Sequence, residues 1–237
     1  VKILLTNDDG YGAPGIEALR EVCEAFGHCT IVAPAGPQSG VGHAVTTNAP
    51  LRLARRGVDR YAVAGTPADC ARVALCELVR DADWLIAGIN HGANLGSDTY
   101  ISGTVAAARE AAFLGRPAIA ISQYVGRFRK LDWSRTVERA APVLRGLLER
   151  DAPAGGFWNV NLPHPPDEAS GCAVVECPVD PSPQGVRFER RADELHWVGE
   201  YHERPRRPGH DIDVCFGGRI AVSRVPLQPD LRPAGSR

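Results

Sequence analysis

Short apolar runs alternate along this chain with longer stretches in which apolar residues recur every three or four positions, the pattern of buried strands separated by one-sided helices. The first run, Ile3, Leu4 and Leu5, stops at Thr6 and is followed by Asn7, Asp8, Asp9 and a loop rich in Gly and Pro. A helix is predicted from Ile16 to about Phe26, with apolar residues at 16, 19, 22, 23 and 26, and a second strand from Cys29 to Ala33. Residues 44–53 and 60–64 read as weaker strands. Gly65-Thr66-Pro67-Ala68-Asp69 is a helix start, with Thr66 as cap, Pro67 in the first position and Asp69 facing the positive end of the dipole; this helix runs to about Val79. Cys70 within it reads as core. Strands are predicted at Trp84–Ala87, Ala118–Ser122 and Phe157–Asn161, and helices at 105–115 and Trp133–Glu149. This alternation predicts an α/β fold with a doubly wound, mostly parallel, Rossmann-like sheet.

After Pro163 the composition turns toward proline and arginine, and the remainder reads as short strands, best at Val186–Val198 and Ile212–Pro226. The expected organisation is an α/β core over residues 1–163 and a β-rich C-terminal extension over 164–237. That extension completes the domain and serves as an arm for self-association. Its arginines (Arg187, Arg190, Arg191, Arg204, Arg206, Arg207) are interleaved with Glu189, Asp193, Glu194, Glu200 and Glu203, unlike a nucleic-acid stripe.

Composition narrows the classes further. The 237 residues are 44% hydrophobic and 23% charged, with a net charge of -1, which gives no field attracting nucleic acid or an anionic membrane. No apolar run approaches the length of a membrane span, and the chain starts directly in a strand, so neither a membrane partner nor a signal peptide is expected. Seven cysteines without a C-x-x-C argue against a zinc ribbon or a disulfide framework and predict reduced thiols in a cytoplasmic protein.

Gly10, Gly12 and Gly15 spell G-x-G-x-x-G between a strand and a helix, the dinucleotide fingerprint. That fingerprint also needs an acidic residue at the end of the second strand, where this chain has Ala33-Pro34-Ala35-Gly36, and Asp8 and Asp9 would repel a pyrophosphate. A nicotinamide oxidoreductase is thus a poor reading. Asn, Asp and Gly also make ordinary solvated turns, and the first loop alone does not separate that reading from a cation site. Other strand ends add to it: Ser39 in the glycine- and proline-rich loop 34–42, and Asn90 after Trp84–Ala87. Two carboxylates, a hydroxyl and an amide carbonyl are hard oxygen donors, suited to Mg²⁺ or Mn²⁺ rather than zinc. The loop 88–104 ends in Ser102-Gly103-Thr104 directly before a helix, where exposed N–H groups and two hydroxyls can take an anion. A divalent cation beside an anion cradle points to phosphoryl chemistry.

Six motifs stand in order: Asn7-Asp8-Asp9-Gly10, Ala13-Pro14-Gly15-Ile16, Ala33-Pro34…Ser39-Gly40, Gly65-Thr66-Pro67-x-Asp69-Cys70, Gly88-Ile89-Asn90-x-Gly92-x-Asn94-x-Gly96 and Ser102-Gly103-Thr104-Val105. Together they resemble the SurE family of survival-protein nucleotidases, metal-dependent phosphatases of nucleoside monophosphates. The tail Gly217–Leu227 resembles the family's last strand, so the likeness spans nearly the whole chain. The resemblance implies Asp8, Asp9, Ser39 and Asn90 as ligands of one divalent cation. It implies Asn94, Ser102, Gly103 and Thr104 around the phosphate, and a C-terminal hairpin exchanged in a homodimer or homotetramer. Ala87, Ile101, Gln38 and His43 depart from the family's common residues, and none is a proposed ligand.

The implied reaction is hydrolysis of nucleoside 5′- or 3′-monophosphates by in-line attack of a metal-activated water, with Asp8 and Asp9 as catalytic residues. Either carboxylate can orient or deprotonate the water, and a phosphoaspartyl route through Asp8 stays open, although aspartyl phosphatases space their two aspartates one residue apart. His91 and His43 are candidate acids for the leaving oxygen or loop histidines with no catalytic role. The rival class is a nucleotide-binding regulatory protein that keeps the cleft and does no chemistry.

Overall fold

The computed structural model describes residues 1–164 and 172–227. Its strands and helices follow in the order β1 (Lys2–Thr6), α1 (Pro14–Cys23), β2 (His28–Pro34), β3 (Leu53–Gly57), β4 (Arg60–Val63), α2 (Pro67–Val73), β5 (Trp84–His91), α3 (Asp98–Ile101), α4 (Gly103–Phe113), β6 (Ala118–Gln123), α5 (Trp133–Leu148), β7 (Gly156–Leu162), β8 (Val174–Glu176), β9 (Phe188–Arg191), β10 (Glu194–Trp197), α6 (Asp211–Phe216) and β11 (Ile220–Pro226). Among the described residues nine strands form one sheet in the order β3-β4-β2-β1-β5-β6-β7-β11-β8, and β9 with β10 forms a separate hairpin. Strands β4, β2, β1, β5, β6 and β7 run parallel, while β3 and β11 pair antiparallel to β4 and β7. This is the doubly wound, mostly parallel sheet that the sequence pattern predicts.

β1 is an unbroken apolar run because both of its faces are covered. Ile3 and Leu5 face a core shared with Ile16, Leu19 and Val22 of α1 and Val143, Leu144 and Leu147 of α5. Leu4 faces the opposite core, with Cys70 and Ala71 of α2 and Val105, Ala107, Ala108 and Ala111 of α4. The alanines of α4 let the two helices on that side pack closely on the sheet. From β1 the chain winds outward through β2 and β4, then crosses back to place β5 on the other side of β1. The reversal opens a crevice at the carboxyl ends of β1 and β5, the switch point where ligands bind in open α/β sheets.

The start of α2 follows its sequence signature. Thr66 accepts from the Asp69 backbone, Asp69 reaches back to the Thr66 backbone, and Pro67 occupies the first turn. A π-helical turn, Ala74–Leu78, prolongs this helix. Cys70 is buried and burial pushes its thiol far up, in keeping with a core residue.

Other local expectations need correction. Residues 44–52 are not a strand: the Thr46 N–H and hydroxyl go to the Asp69 carboxylate, so this stretch offers no ladder, and pairing with β4 begins at Leu53. The predicted strand from Ile212 is α6 as far as Phe216, and the strand starts at Ile220, past Gly217 and Gly218. A short apolar run does not distinguish strand from helix by period alone. The extension is therefore not purely β. Val186–Val198 is the β9–β10 hairpin, turned at Ala192 with φ +53. Part of the extension's expected range, residues 165–171 and 228–237, lies outside the described residues.

Gly15 sets how closely α1 approaches the crevice. A methyl group there would overlap the Ile89 carbonyl oxygen and press on the Trp133 ring. Gly15→Ala is expected to lower the unfolding free energy by about 2–3 kcal/mol in denaturant titrations. Gly36→Ala, which meets nothing within 4 Å, should stay within about 0.5 kcal/mol of the parent. Equal effects would remove the close-approach argument.

Candidate active site

The loop after β1 is shaped by its own side chain: Asn7 Nδ2 donates to Gly10 O at 2.9 Å. Asp8, only 4% exposed, then sits under the first turn of α4, where Thr104 Oγ1 donates to Asp8 Oδ1 at 2.6 Å. Gly103 permits this contact, because a Cβ there would lie 2.9 Å from Asp8 Cβ and 3.0 Å from Pro67 Cγ. Asp9 is half-buried and accepts from the backbone N–H of His91 at 3.2 Å, which ties the end of β1 to the end of β5.

Chain neighbours tie two of the remaining predicted residues, Ser39 and Asn90, to this pair, through Gln38 and His91. The loop after β2 approaches through Gln38, whose N–H donates to Asp8 O at 2.7 Å; Ser39 follows it and is exposed. Asn90 is half-buried at the end of β5, beyond a register shift against β6. Its Nδ2 donates to Gly92 O at 2.8 Å, which orients the amide through its nitrogen. Ser102 caps α4 by accepting from Val105 N at 3.1 Å. The two cradle hydroxyls are therefore both engaged, Ser102 with the helix start and Thr104 with Asp8. Asn94 is buried in an amide network. Its N–H donates to Asn161 Oδ1 at 2.8 Å, its Nδ2 donates to Ser122 Oγ at 2.8 Å, and its carbonyl accepts from Asn159 and Asn161.

Of the two histidines, His91 is exposed and offers its backbone N–H to Asp9. His43 is turned toward Glu110, 2.7 Å from Oε2, and stacks on Phe113. Glu110, 3% exposed, also takes Arg72 Nε at 2.6 Å. Neither Glu110 nor Arg72 belongs to the site residues predicted from sequence. Their one local signal is a lone carboxylate on the otherwise apolar face of 105–115.

The electrostatics fit a small divalent cation. Burial, and secondly the charge of Asp9, raise the Asp8 carboxyl above its ordinary value, against the pull of the Thr104 hydroxyl. Burial likewise raises Asp9, opposed by the His91 N–H. Two crowded carboxylates favour a bound cation. Asn7 Oδ1 beside them is buried without a hydrogen-bond partner. Among the described residues no three His, Cys, Asp or Glu side chains converge as a metal cluster; the set expected from sequence has only two carboxylates, with Ser39 and Asn90 as its other members.

Comparisons with known proteins identify the family of the chain. A model of the family described as survival protein SurE matches residues 3–179. The chain belongs to the SurE family. A relative from Synechocystis sp. is 47% identical over 225 residues, 95% of this chain and 99% of its own. The 5′-nucleotidase SurE of Methylocella silvestris is 38% identical over 247 residues, covering 98% of this chain and 94% of its own. The crystal structure of the SurE protein from Aquifex aeolicus superposes with a TM-score of 0.84 at 30% identity, covering 98% of this chain and 95% of that one. The SurE fold therefore runs through the extension as well as the core.

A raised carboxyl pKa has a stability consequence with a definite sign. Asp8's contribution is fully present below its unfolded value, near 3.8, and is lost as pH rises through the higher folded value. Above that folded value, with chelator present, the ionised form of Asp8 costs stability. Asp8→Asn should then raise the melting temperature at pH 7 by roughly 2–4 °C per kcal/mol of penalty relieved, and the gain should vanish near pH 3. A lower melting temperature for Asp8→Asn at pH 7 would contradict this.

Proposed function

We propose that this SurE-family chain is a phosphomonoesterase that hydrolyses nucleoside 5′-monophosphates, with 3′-monophosphates as further candidates, to nucleoside and phosphate. Family membership supports hydrolase activity, and the curated relative from Methylocella silvestris carries the name 5′-nucleotidase. The observation that carries the reading is the Thr104–Asp8 hydrogen bond, which joins a carboxylate pair to the first turn of α4. In this reading Asp8, Asp9, Ser39 and Asn90 hold one Mg²⁺ or Mn²⁺, and Asn94, Ser102, Gly103 and Thr104 receive the phosphate. Such a cation, when bound, lowers the pKa of its water and neutralises phosphoryl oxygens.

The chain's own groups divide the work. The Thr104 hydroxyl occupies Asp8 Oδ1, so Asp8 is held in place and Asp9, half-buried, is the carboxylate positioned to accept a proton from water. The positive end of the α4 dipole, at Ser102–Thr104, would stabilise the charge developing on phosphate. Asn94 is too firmly bonded to move, so it orients without rearranging. A groove of about 850 Å³, lined by Asp98, Ile101, Val186, Trp197 and Tyr201, begins one residue before Ser102 and is the proposed seat of the nucleoside; none of the proposed metal or phosphate residues lines it.

Self-association through the hairpin is part of the same reading. Phe188 and Leu195 are 54% and 58% exposed on β9 and β10, outside the main sheet, and a second copy of this chain is the proposed cover. No helix among the described residues is long and apolar enough to cross a membrane. The free cysteines support a reducing, cytoplasmic setting.

Nucleoside monophosphates should be hydrolysed with Mg²⁺ or Mn²⁺ and not with chelator. Asp8→Asn and Asn90→Ala should each lower turnover by about 10²–10⁴-fold with the fold retained by circular dichroism. Parent-like turnover in either variant would refute the ligand set. Because β11 fills the main sheet, the arm is tested by substitution rather than truncation. Phe188→Glu with Leu195→Glu should convert an oligomer to a monomer in light scattering, and an unchanged mass would refute the interface.

A further inference from the structure

The segment linking Asn94 to Ser102 is gripped at successive positions by residues from the C-terminal extension. Asp98, 8% exposed, opens α3, and its Oδ2 accepts from Arg204 Nη1 at 2.6 Å, from Tyr201 OH at 3.0 Å and from Leu95 N at 3.2 Å. Arg204 extends its second nitrogen, Nη2, to Leu95 O at 3.2 Å and Ser97 Oγ at 3.4 Å, and its guanidinium lies 5.1 Å from the Tyr201 ring centroid. One residue beyond Leu95, the Gly96 N–H donates to the buried Asp211 carboxylate at 2.9 Å, whose other oxygen takes the Asp180 N–H. Asp98 passes the restraint onward, because its carbonyl accepts the Ser102 N–H at 3.0 Å.

The chemistry makes this a firm hold. The Arg204 and Asp98 side chains are 9% and 11% exposed, so the ion pair is largely removed from water. Removing one partner of such a pair strands a buried charge. Burial opposes the charge on Arg204, and the Asp98 carboxylate more than offsets it, so the guanidinium sits above its ordinary value. Burial and Asp98 also push the Tyr201 phenol up, which keeps its hydroxyl a donor. Arg204 thus binds the side chain of Asp98 while bracing the Leu95 carbonyl and the Ser97 hydroxyl on either side of Gly96.

We propose that Arg204 is a positioning residue for phosphate capture. Acting through Asp98, it fixes the 95–102 backbone and so sets the direction in which the Ser102–Thr104 turn presents its donors. The inference rests on reading Ser102–Thr104 as the phosphate cradle. It gives the extension a role within one chain, separate from any self-association by the hairpin.

Two measurements test it. Backbone hydrogen exchange compares the parent with Arg204→Ala and Tyr201→Phe, and needs no activity. Faster exchange at Leu95, Gly96 and Ser102, with Ile119 and Ile121 of β6 unchanged, supports the clamp. Unchanged exchange at 95–102 in both variants overturns it, as does a uniform rise that includes β6, the mark of a general stabiliser. Kinetics then follow with a nucleoside monophosphate and inorganic phosphate as inhibitor. Arg204→Ala should raise KM and the phosphate inhibition constant together by about tenfold, with kcat within about threefold, and Arg204→Lys should recover part of the loss. A fall in kcat alone with KM and phosphate inhibition unmoved overturns the assignment. A parent protein that hydrolyses no monophosphate would defeat the proposed function, while the exchange comparison would still decide the clamp.

Discussion

One hydrogen bond joins the two halves of the candidate site: the Thr104 hydroxyl to the buried carboxylate of Asp8. Burial raises the cost of an ionised Asp8, and its neighbour Asp9 adds to that cost. Hydrogen bonds from the Thr104 hydroxyl and from nearby backbone N–H groups ease the penalty without cancelling it. The fold thus holds negative charge at the mouth of a crevice, beside a helix start suited to more of it. The cation proposed above would neutralise that arrangement. The sheet topology explains the meeting, since the reversal of strand order at β1 leaves the carboxyl ends of β1 and β5 adjacent.

The surrounding packing serves this contact. Gly103 lets α4 approach Asp8, Gly15 lets α1 approach Ile89, and the small residues of α2 and α4 keep the layer beneath thin. Glu110, seven residues along α4, gathers His43 from the loop that bears Ser39 and Arg72 from α2. Helix α4 therefore presents its start to the crevice while its buried carboxylate secures neighbouring elements. Residues 201–211 do the equivalent for the loop ahead of that helix.

Local chemistry is legible in the sequence wherever cause and effect lie close together. The run Ile3–Leu5 announces a strand covered on both faces, and Thr66-Pro67-x-Asp69 announces a capped helix. The carboxylates after β1 and the hydroxyls at the start of α4 are readable as candidate site chemistry because each falls at the edge of an apolar block. Residues 44–52 mislead because Thr46 spends its N–H on Asp69, 23 positions away. The segment 212–216 misleads because its apolar spacing suits either period. Arg204 looks like one basic residue in a mixed tail, since its partner Asp98 stands 106 positions earlier. Likewise the engagement of Thr104 with Asp8 spans 96 residues, which no local pattern encodes.

If cation and phosphate share the Asp8–Thr104 junction, each must bind more tightly in the presence of the other, by the same factor. Calorimetric titration of Mn²⁺ into the metal-free protein, with and without saturating inorganic phosphate, reads that coupling directly. Tighter Mn²⁺ binding with phosphate present, and a coupling that shrinks in Thr104→Val, are the predicted results. Mn²⁺ affinity indifferent to phosphate, or a coupling untouched by loss of the Thr104 hydroxyl, would contradict them.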